Sequence, residues 1–250
     1  WLALLFLLAT VLTGSRGGWM GFGAALMLWP LLAGRNWRRK LGGSLVMLVA
    51  VMAAGAALYR YSHYAHERIR PFLEGRFEPS RPIIWKAGWR IWRDHWWLGS
   101  GAASYNVLFD QYRPKGFWDQ PVWAHNDYLN TLSDYGVVGG GLWLRAGGSL
   151  FWLGWRAVRR AREKRDPAGS WIETADVRFG LLLGLLAFAV HLTVDFHTKI
   201  PALAFLAALA FAVLLRDDPG LTKPLKPWIA RGCGGGMALV SVIVAWVLAK

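Results

Sequence analysis

The feature that most constrains this chain is a series of seven long apolar runs separated by polar segments. An apolar helix of about 20 residues spans the hydrocarbon core of a bilayer and satisfies its backbone hydrogen bonds internally. The series therefore predicts an all-α fold, a polytopic bundle of transmembrane helices. Because the first run is shorter than a full span, we expect it to be the end of a helix that begins further upstream. The runs are Trp1–Thr13, Gly18–Ala33, Leu41–Tyr59, Val137–Trp155, Phe179–Phe196, Pro201–Leu215 and Gly234–Ala249.

Basic side chains indicate how these helices are oriented. The formal net charge is +14, and clusters of Lys and Arg lie in three short loops that begin at Arg35, Arg156 and Arg216. Positive charge in short loops marks the cytoplasmic side of a membrane protein. If each run crosses once, all three clusters face the cytoplasm and the long segment 60–135 faces outward. Membrane orientation explains the charge better than nucleic-acid binding does.

This arrangement divides the chain into three parts. We expect transmembrane helices over residues 1–59, one large and partly helical periplasmic loop over 60–135, and further transmembrane helices over 136–250. The one cysteine, Cys233, excludes an internal disulfide framework and a cysteine-based zinc site. The acidic residues of the loop show no metal-ligand spacing, so we expect neither a metal nor a cofactor.

The loop carries a periodic signal of its own. Trp85, Trp89, Trp92 and Trp96 recur at helical spacing, which predicts an amphipathic helix over Ile83–Leu98. Indole rings favour the headgroup level of a bilayer, so this helix is expected to lie on the outer membrane surface. The alternative is a core helix of a small extramembrane domain.

Two arginines are candidates for binding an anion. Arg16 lies in Ser15–Arg16–Gly17–Gly18 at the start of a span, where glycines permit a close approach. Arg81 lies in Pro79–Ser80–Arg81–Pro82 at a helix N-terminus, where backbone N–H groups also favour anions. A guanidinium fork fits phosphate oxygens. Taken separately, each is also compatible with an ordinary interfacial or surface arginine.

The polar run that leads into the fourth span contains the candidate acid–base residue. His125 is the loop histidine nearest a membrane entry, and imidazole titrates near neutral pH. Asn126 and Asp127 are placed to hold its ring or to bind a hydroxyl-rich ligand. A purely structural histidine is the alternative.

Ionisable residues also occur inside the fifth run. His191 and Asp195 are four residues apart, which predicts that they share one helical face. Such residues usually face the bundle interior and mark a functional path, so we expect both to bind substrate, with His197 at the outer edge. Arg145 in the fourth run is a candidate partner for Asp195. A buried pair that serves helix packing is the alternative.

In their order along the chain, these motifs resemble the O-antigen ligase and polymerase family of bacterial membrane glycosyltransferases. The resemblance covers residues 1–215 and is centred on one large outer loop. A departure is Asp134, where the family often carries Glu. The matching motifs are Ser15–Arg16–Gly17, Arg81 before a Trp-containing helix that ends in Leu98–Gly99–Ser100–Gly101, His125–Asn126–Asp127–Tyr128–Leu129 before Gly136–Val137–Val138–Gly139, and the segment His191–Pro201.

The resemblance implies that a glycan moves from an undecaprenyl diphosphate carrier to an acceptor sugar at the outer face of the cytoplasmic (inner) membrane. The acceptor is a lipid A core in ligases and a growing polysaccharide in polymerases, and the reaction is expected to be inverting and metal-independent. Arg16 and Arg81 match the arginines expected to hold the diphosphate, and His125 matches the histidine expected near the acceptor hydroxyl. The implied partners are this donor, a saccharide acceptor and membrane lipids, with no nucleic acid.

Two other functions remain open at the level of the sequence. A transporter or flippase of lipid-linked saccharide would explain His191 and Asp195, but it gives no reason for a loop rich in Arg and Trp. A non-enzymatic scaffold that binds anionic lipid is the third hypothesis.

Overall fold

The computed structural model describes residues 8–33, 36–74, 80–164 and 175–216, and within these ranges the chain forms helices and no strand. This confirms the prediction of an all-α fold. The helices are α1 (Arg16–Ala33), α2 (Trp37–Tyr61), α3 (His63–Leu73), α4 (Ser80–Asp94), α5 (Tyr105–Tyr112), α6 (Asp127–Lys164), α7 (Ala175–His191) and α8 (Pro201–Leu215), with a short 3₁₀ turn at His197–Lys199.

The helix α2 matches a predicted span best. It is 25 residues long, its most apolar stretch has a mean hydropathy of 2.1, and none of that stretch is buried inside the protein. Its length of about 37 Å exceeds the hydrocarbon thickness of a bilayer. By length and composition it is the one helix of the described ranges that is long and apolar enough to cross a membrane. The other spans stay predictions, and residues 1–7 and the run Gly234–Ala249 with Cys233 lie outside the described residues.

Close packing of α1 against α7 depends on two glycines one helical turn apart. A Cβ at Gly17 would lie 2.5 Å from Nε2 of His191, and one at Gly21 would lie 2.7 Å from the carbonyl oxygen of Ala187. Small residues four apart allow helix backbones to approach closely, as they do in membrane helix pairs. The first turn of α1, which carries Arg16, is therefore held beside the C-terminal end of α7.

The long helix α6 is interrupted at Gly136, where φ is 64° and ψ is −167°. Only glycine adopts this conformation without strain. The interruption removes helical partners from nearby N–H groups, and Val137 and Val138 donate instead to the carbonyls of Trp96 and Trp97 at 2.8 and 3.3 Å. The segment after α4 thus docks onto the break, which lies at the predicted boundary between the loop and the fourth span.

The helices α4 and α5 enclose an apolar core. The buried face of α4 carries Ile84 and Ile91, whereas Trp89 and Trp96 are each 54% exposed. The Trp-containing helix thus buries an aliphatic face in this core. Its placement on a membrane surface and the alternative of a small extramembrane domain both stay predictions. The core residues are Ile84, Ala87, Ile91, Tyr105, Phe109 and Ala124.

The same helix is also shorter at its C-terminal end than predicted. It spans Ser80–Asp94, not Ile83–Leu98, because residues 95–98 form a turn. This turn leads to Gly99, which has a φ of 79° and touches the backbone of Asp134 so closely that a Cβ would collide with it. Tertiary contact with α6, which local periodicity does not encode, ends the helix here. Pro79 of the predicted motif lies outside the described residues.

Candidate functional site

The predicted motif Ser15–Arg16–Gly17 forms the N-terminus of α1. The Ser15 hydroxyl oxygen accepts a hydrogen bond from the Gly18 N–H at 3.0 Å, which is the hydrogen bond of an N-cap. Arg16 is the first residue of the helix and is exposed. Gly17, the next residue, lies directly against the imidazole of His191, so the turn that begins with Arg16 packs on that histidine.

The helix α4 brings the second arginine to the same place. Arg81 is half-buried in the first turn of α4 and is near enough to His191 for the two side chains to interact electrostatically. One turn further along, the indole Nε1 of Trp85 donates to the carbonyl of His125 at 3.3 Å. The helix therefore positions a cation beside one histidine and holds the backbone of another.

His125 has a left-handed backbone conformation with a φ of 48°, which residues other than glycine adopt rarely. Its Nδ1 lies 3.9 Å from Oδ1 of Asp195, and its ring packs edge-on against Phe196 with centroids 4.8 Å apart. The side chain remains 34% exposed. The imidazole thus lies between a carboxylate, at a distance longer than a hydrogen bond, and an aromatic ring, while part of the side chain stays accessible.

Two asparagines hold the chain on either side of this histidine. Oδ1 of Asn126 accepts from the Leu129 N–H at 2.9 Å and so caps the first turn of α6. Oδ1 of Asn130 accepts from the Ala124 N–H, also at 2.9 Å, immediately before His125. The predicted role of Asn126 in binding substrate stays a prediction, since its side-chain oxygen already has this structural contact.

Asp127 is fully buried and joins the His125 segment to the segment after α7. Its N–H donates to the carbonyl oxygens of Leu192 and Asp195 at 2.9 and 3.1 Å, and its Oδ2 accepts from the Thr198 N–H at 2.8 Å. Burial raises the pKa of Asp127, and the hydrogen bonds from Thr198 oppose this rise. The sequence analysis suggested Asn126 or Asp127 as the group that orients the imidazole, but the structure places Asp195 beside it.

A second set of polar side chains lines the buried side of the first turns of α6. Nδ2 of Asn130 donates to Oδ2 of Asp134 at 2.8 Å, and the Ala103 N–H donates to the same oxygen at 3.3 Å. Burial raises the pKa of Asp134. No role was predicted for Asn130 or Asp134. Asn130 follows Asp127 by three residues and Asp134 follows Asn130 by four, a spacing that indicates one polar helical face.

The prediction that His191 and Asp195 share one helical face is wrong, because α7 ends at His191. The chain then turns, with the Val194 N–H donating to the His191 carbonyl at 3.0 Å. This turn still brings Oδ2 of Asp195 to 3.8 Å from Nε2 of His191. The predicted proximity is therefore correct, but a turn produces it.

Asp195 lies between two imidazoles, those of His125 and His191. His197 extends the group, because its Nε2 is 3.0 Å from Nδ1 of His191 and the two rings meet edge to face. Arg145, the predicted partner of Asp195, is exposed on α6, and within the described ranges Asp195 forms its ion pairs with the two histidines.

This arrangement combines acid–base chemistry with positive charge. An imidazole whose Nδ1 faces a carboxylate is set up to accept a proton at Nε2. Arg81 supplies a cationic group near His191, and Arg16 begins the helix whose next residue, Gly17, packs against that histidine. No metal site was predicted from the sequence, yet one potential ligand atom from each of His191, Asp195 and His197 lies within 4.8 Å of the others.

Comparison with known families identifies one match. The family model described as O-antigen ligase matches residues 1–144, which is more than half of the chain. The matched segment contains Arg16, Arg81 and His125, whereas His191 and Asp195 lie beyond its end. No curated protein matches the chain.

Proposed function

The chain belongs to the O-antigen ligase family, and on that premise we propose that it is a glycosyltransferase that joins a lipid-linked glycan to an acceptor sugar. The family match supports transfer of the ligase or polymerase type. It favours a transferase over the transporter and the lipid-binding scaffold, for which neither the fold nor the family match adds support.

The proposed donor is a glycan on undecaprenyl diphosphate, and the proposed acceptor is a lipid A core or a growing polysaccharide. The reaction takes place at the outer face of the inner membrane, with residues 60–135 on that side. Two features support this setting: the apolar helix α2, which is long enough to cross a bilayer, and the half-exposed indoles of Trp89 and Trp96 on the adjoining domain.

The contact between His125 and Asp195 is the observation that carries the proposal. With Nδ1 of His125 directed to Oδ1 of Asp195 at 3.9 Å, Nε2 is the nitrogen left to act on a substrate. The carboxylate also stabilises the imidazolium that forms when the proton arrives, as in other base–orienter pairs. Accessibility of part of the His125 ring allows an acceptor hydroxyl to reach it.

The transfer step needs two groups in addition to the base. The acceptor oxygen forms a bond to the anomeric carbon while its proton passes to Nε2 of His125, and the bond from that carbon to the diphosphate oxygen breaks. The electron pair leaves with the diphosphate, which gains negative charge. Arg16 and Arg81 stabilise this charge with guanidinium groups, so the proposed step requires no metal.

The histidine is tested by comparing His125→Gln with wild type in membranes that contain the full-length protein and lipid-linked glycan. General-base catalysis is worth about 10²–10⁴ in rate, so the transfer rate should fall by roughly that factor. The wild-type rate should fall as the pH drops through the titration range of imidazole, because an imidazolium accepts no proton. This acidic limb should be absent from His125→Gln.

The matched control is His63→Gln, since His63 is an exposed histidine at the start of α3. It should transfer glycan at the wild-type rate with the wild-type pH profile. A wild-type rate in His125→Gln would show that the base lies elsewhere and would overturn the proposed role of His125.

The two arginines are tested by replacing each with Ala and with Lys. Alanine should abolish transfer while the protein remains in the membrane, and lysine should restore only part of it, because an ammonium group offers a point charge without a fork. Arg90→Ala is the matched control, since Arg90 is an exposed residue of α4. Full activity of both alanine variants would remove the diphosphate site from the proposal.

A further inference from the structure

Two imidazoles at the site take up no proton in the proposed transfer step, and the predicted contact of His191 with substrate stays a prediction. His191 ends α7 and His197 begins the short 3₁₀ turn, and their ring centroids are 4.1 Å apart at nearly a right angle. Nε2 of His197 lies 3.0 Å from Nδ1 and 3.2 Å from Nε2 of His191. The two rings therefore bring potential metal-ligating nitrogens close together.

Asp195 completes a set of three ligands around this space. Its Oδ2 lies 3.8 Å from Nε2 of His191, and one ligand atom from each of the three residues lies within 4.8 Å of the other two. A tetrahedral Zn²⁺ with bonds of about 2.0–2.1 Å separates neighbouring ligand atoms by roughly 3.3 Å. Reaching that spacing requires the three side chains to rotate when the metal binds.

We propose that His191, Asp195 and His197 bind a transition-metal cation of the Zn²⁺ type, and that the bound cation inhibits glycosyl transfer. The inhibitory half rests on the proposed function, because it follows from the role of Asp195 beside His125. Coordination of the metal by Oδ2 of Asp195 withdraws negative charge from the carboxylate, so its Oδ1 stabilises the imidazolium of His125 less. The binding half rests on the ligand geometry alone.

The donor set predicts which cations bind. Two imidazoles and one carboxylate suit Zn²⁺, Cu²⁺ or Ni²⁺, whereas Mg²⁺ and Ca²⁺ prefer oxygen ligands. Arg81 interacts electrostatically with His191. Its positive charge weakens the binding of any cation that is attracted mainly by electrostatics. The site should therefore discriminate strongly against Mg²⁺.

The position of α1 adds a second reason for inhibition. Gly17 lies directly against the His191 imidazole, so a divalent ion on that ring stands close to the first turn of α1, which begins at Arg16. Repulsion between the ion and this arginine would disturb the proposed diphosphate site. A single bound cation thus acts on both the base and the anion-binding groups.

Binding is tested on the purified full-length protein, carrying an affinity tag without histidine, by titration of Zn²⁺ against a chromophoric chelator. Wild type and His63→Gln should each bind one Zn²⁺ at this site, and His197→Gln should bind it at least tenfold more weakly. A large excess of Mg²⁺ should not displace the Zn²⁺. Equal affinity in wild type and His197→Gln would overturn the binding site.

Inhibition is tested by measuring transfer over the same range of Zn²⁺ concentration. The wild-type rate should fall as the site fills and should return when EDTA removes the metal, whereas His197→Gln should resist the inhibition relative to its own metal-free rate. Binding without loss of activity would overturn the inhibitory half alone. A failure of the proposed function is distinct, because it shows in metal-free protein as a wild-type rate for His125→Gln.

Discussion

Two buried regions meet beside His125, and they are stabilised in different ways. The core between α4 and α5 is apolar and is built from residues such as Ile91 and Phe109. The adjoining face of α6 is equally buried, yet it carries Asp127, Asn130 and Asp134. Apolar burial has no preferred direction, whereas each buried polar atom needs a partner at a defined distance and angle. The comparison indicates that the apolar core supplies stability and the polar face supplies geometry.

The strongest test of this comparison is Asn130→Leu. The buried Ala124 N–H and the carboxylate of Asp134 each lose a partner, and every such loss costs about 1–3 kcal/mol of unfolding free energy. Because Ala124 precedes His125, the transfer rate per folded molecule should fall as well. Thermal unfolding of the purified protein, followed by Trp fluorescence, gives the stability, and an assay of the folded fraction gives the rate.

Asn106→Leu provides the matched control for that substitution, since Asn106 is exposed on α5. Neither its unfolding midpoint nor its rate should change appreciably. A normal rate per folded molecule in Asn130→Leu would mean that the polar face does not position the histidine.

The apolar core is tested by Ile91→Ala. Removal of a fully buried isoleucine side chain should cost about 2–5 kcal/mol of unfolding free energy, because the cavity is only partly filled by its neighbours. Transfer by the molecules that remain folded should be unchanged. Val107→Ala, at an apolar position on α5 that is 70% exposed, should leave the unfolding midpoint almost unaltered.

The contrast between the two regions fails if Ile91→Ala lowers the rate per folded molecule as far as Asn130→Leu does. That result would place the apolar core among the elements that position His125.

The smallest effect expected is a change in the pH dependence of stability. Burial raises the folded-state pKa of Asp134 above its ordinary value of 3.8, so the folded protein holds this proton more tightly than the unfolded chain does. Stability should therefore fall as the pH rises from near 3.8 to the folded-state pKa, by at most about 1.4 kcal/mol per pH unit, and should be constant above it.

Unfolding midpoints of the wild type should decrease across this pH window. The decrease should be smaller in Asp134→Asn, where only the buried carboxyl of Asp127 still contributes to it. The exposed Asp119 provides the control, as Asp119→Asn should keep the wild-type slope. An unchanged slope in Asp134→Asn would show that the polar face is more accessible to water than the structure indicates.

Much of the fold was predictable because helix formation is local. The apolar run Pro201–Leu215 coincides with α8, and Gly18–Ala33 lies within α1. The predictions failed where a helix ended for a tertiary reason. The turn after Asp94 follows from the contact of Gly99 with α6, and the end of α7 at His191 precedes a turn that the Asp127 N–H supports through the Leu192 and Asp195 carbonyls.

For the candidate site, Arg16, Arg81 and His125 were predicted from the sequence alone. Guanidinium groups bind anions and imidazole transfers protons, and these residues lie beside predicted spans. It did not identify Asn130, whose contact with the Ala124 N–H depends on how the chain enters α6. It also did not identify His197 as a neighbour of His191, because that contact forms across a turn of irregular structure.

Short-range periodicity and residue type are thus enough to predict most of the helical segments and the side chains that bring acid–base and anion-binding chemistry. Only the tertiary structure decided that the carboxylate beside His125 belongs to Asp195 and not to the adjacent Asp127. The physical reason is that Asp127 begins α6 and is turned into the protein by its hydrogen bond with Thr198, whereas the turn after α7 directs Asp195 toward the imidazole. Contacts between segments this distant along the chain depend on how the helices pack.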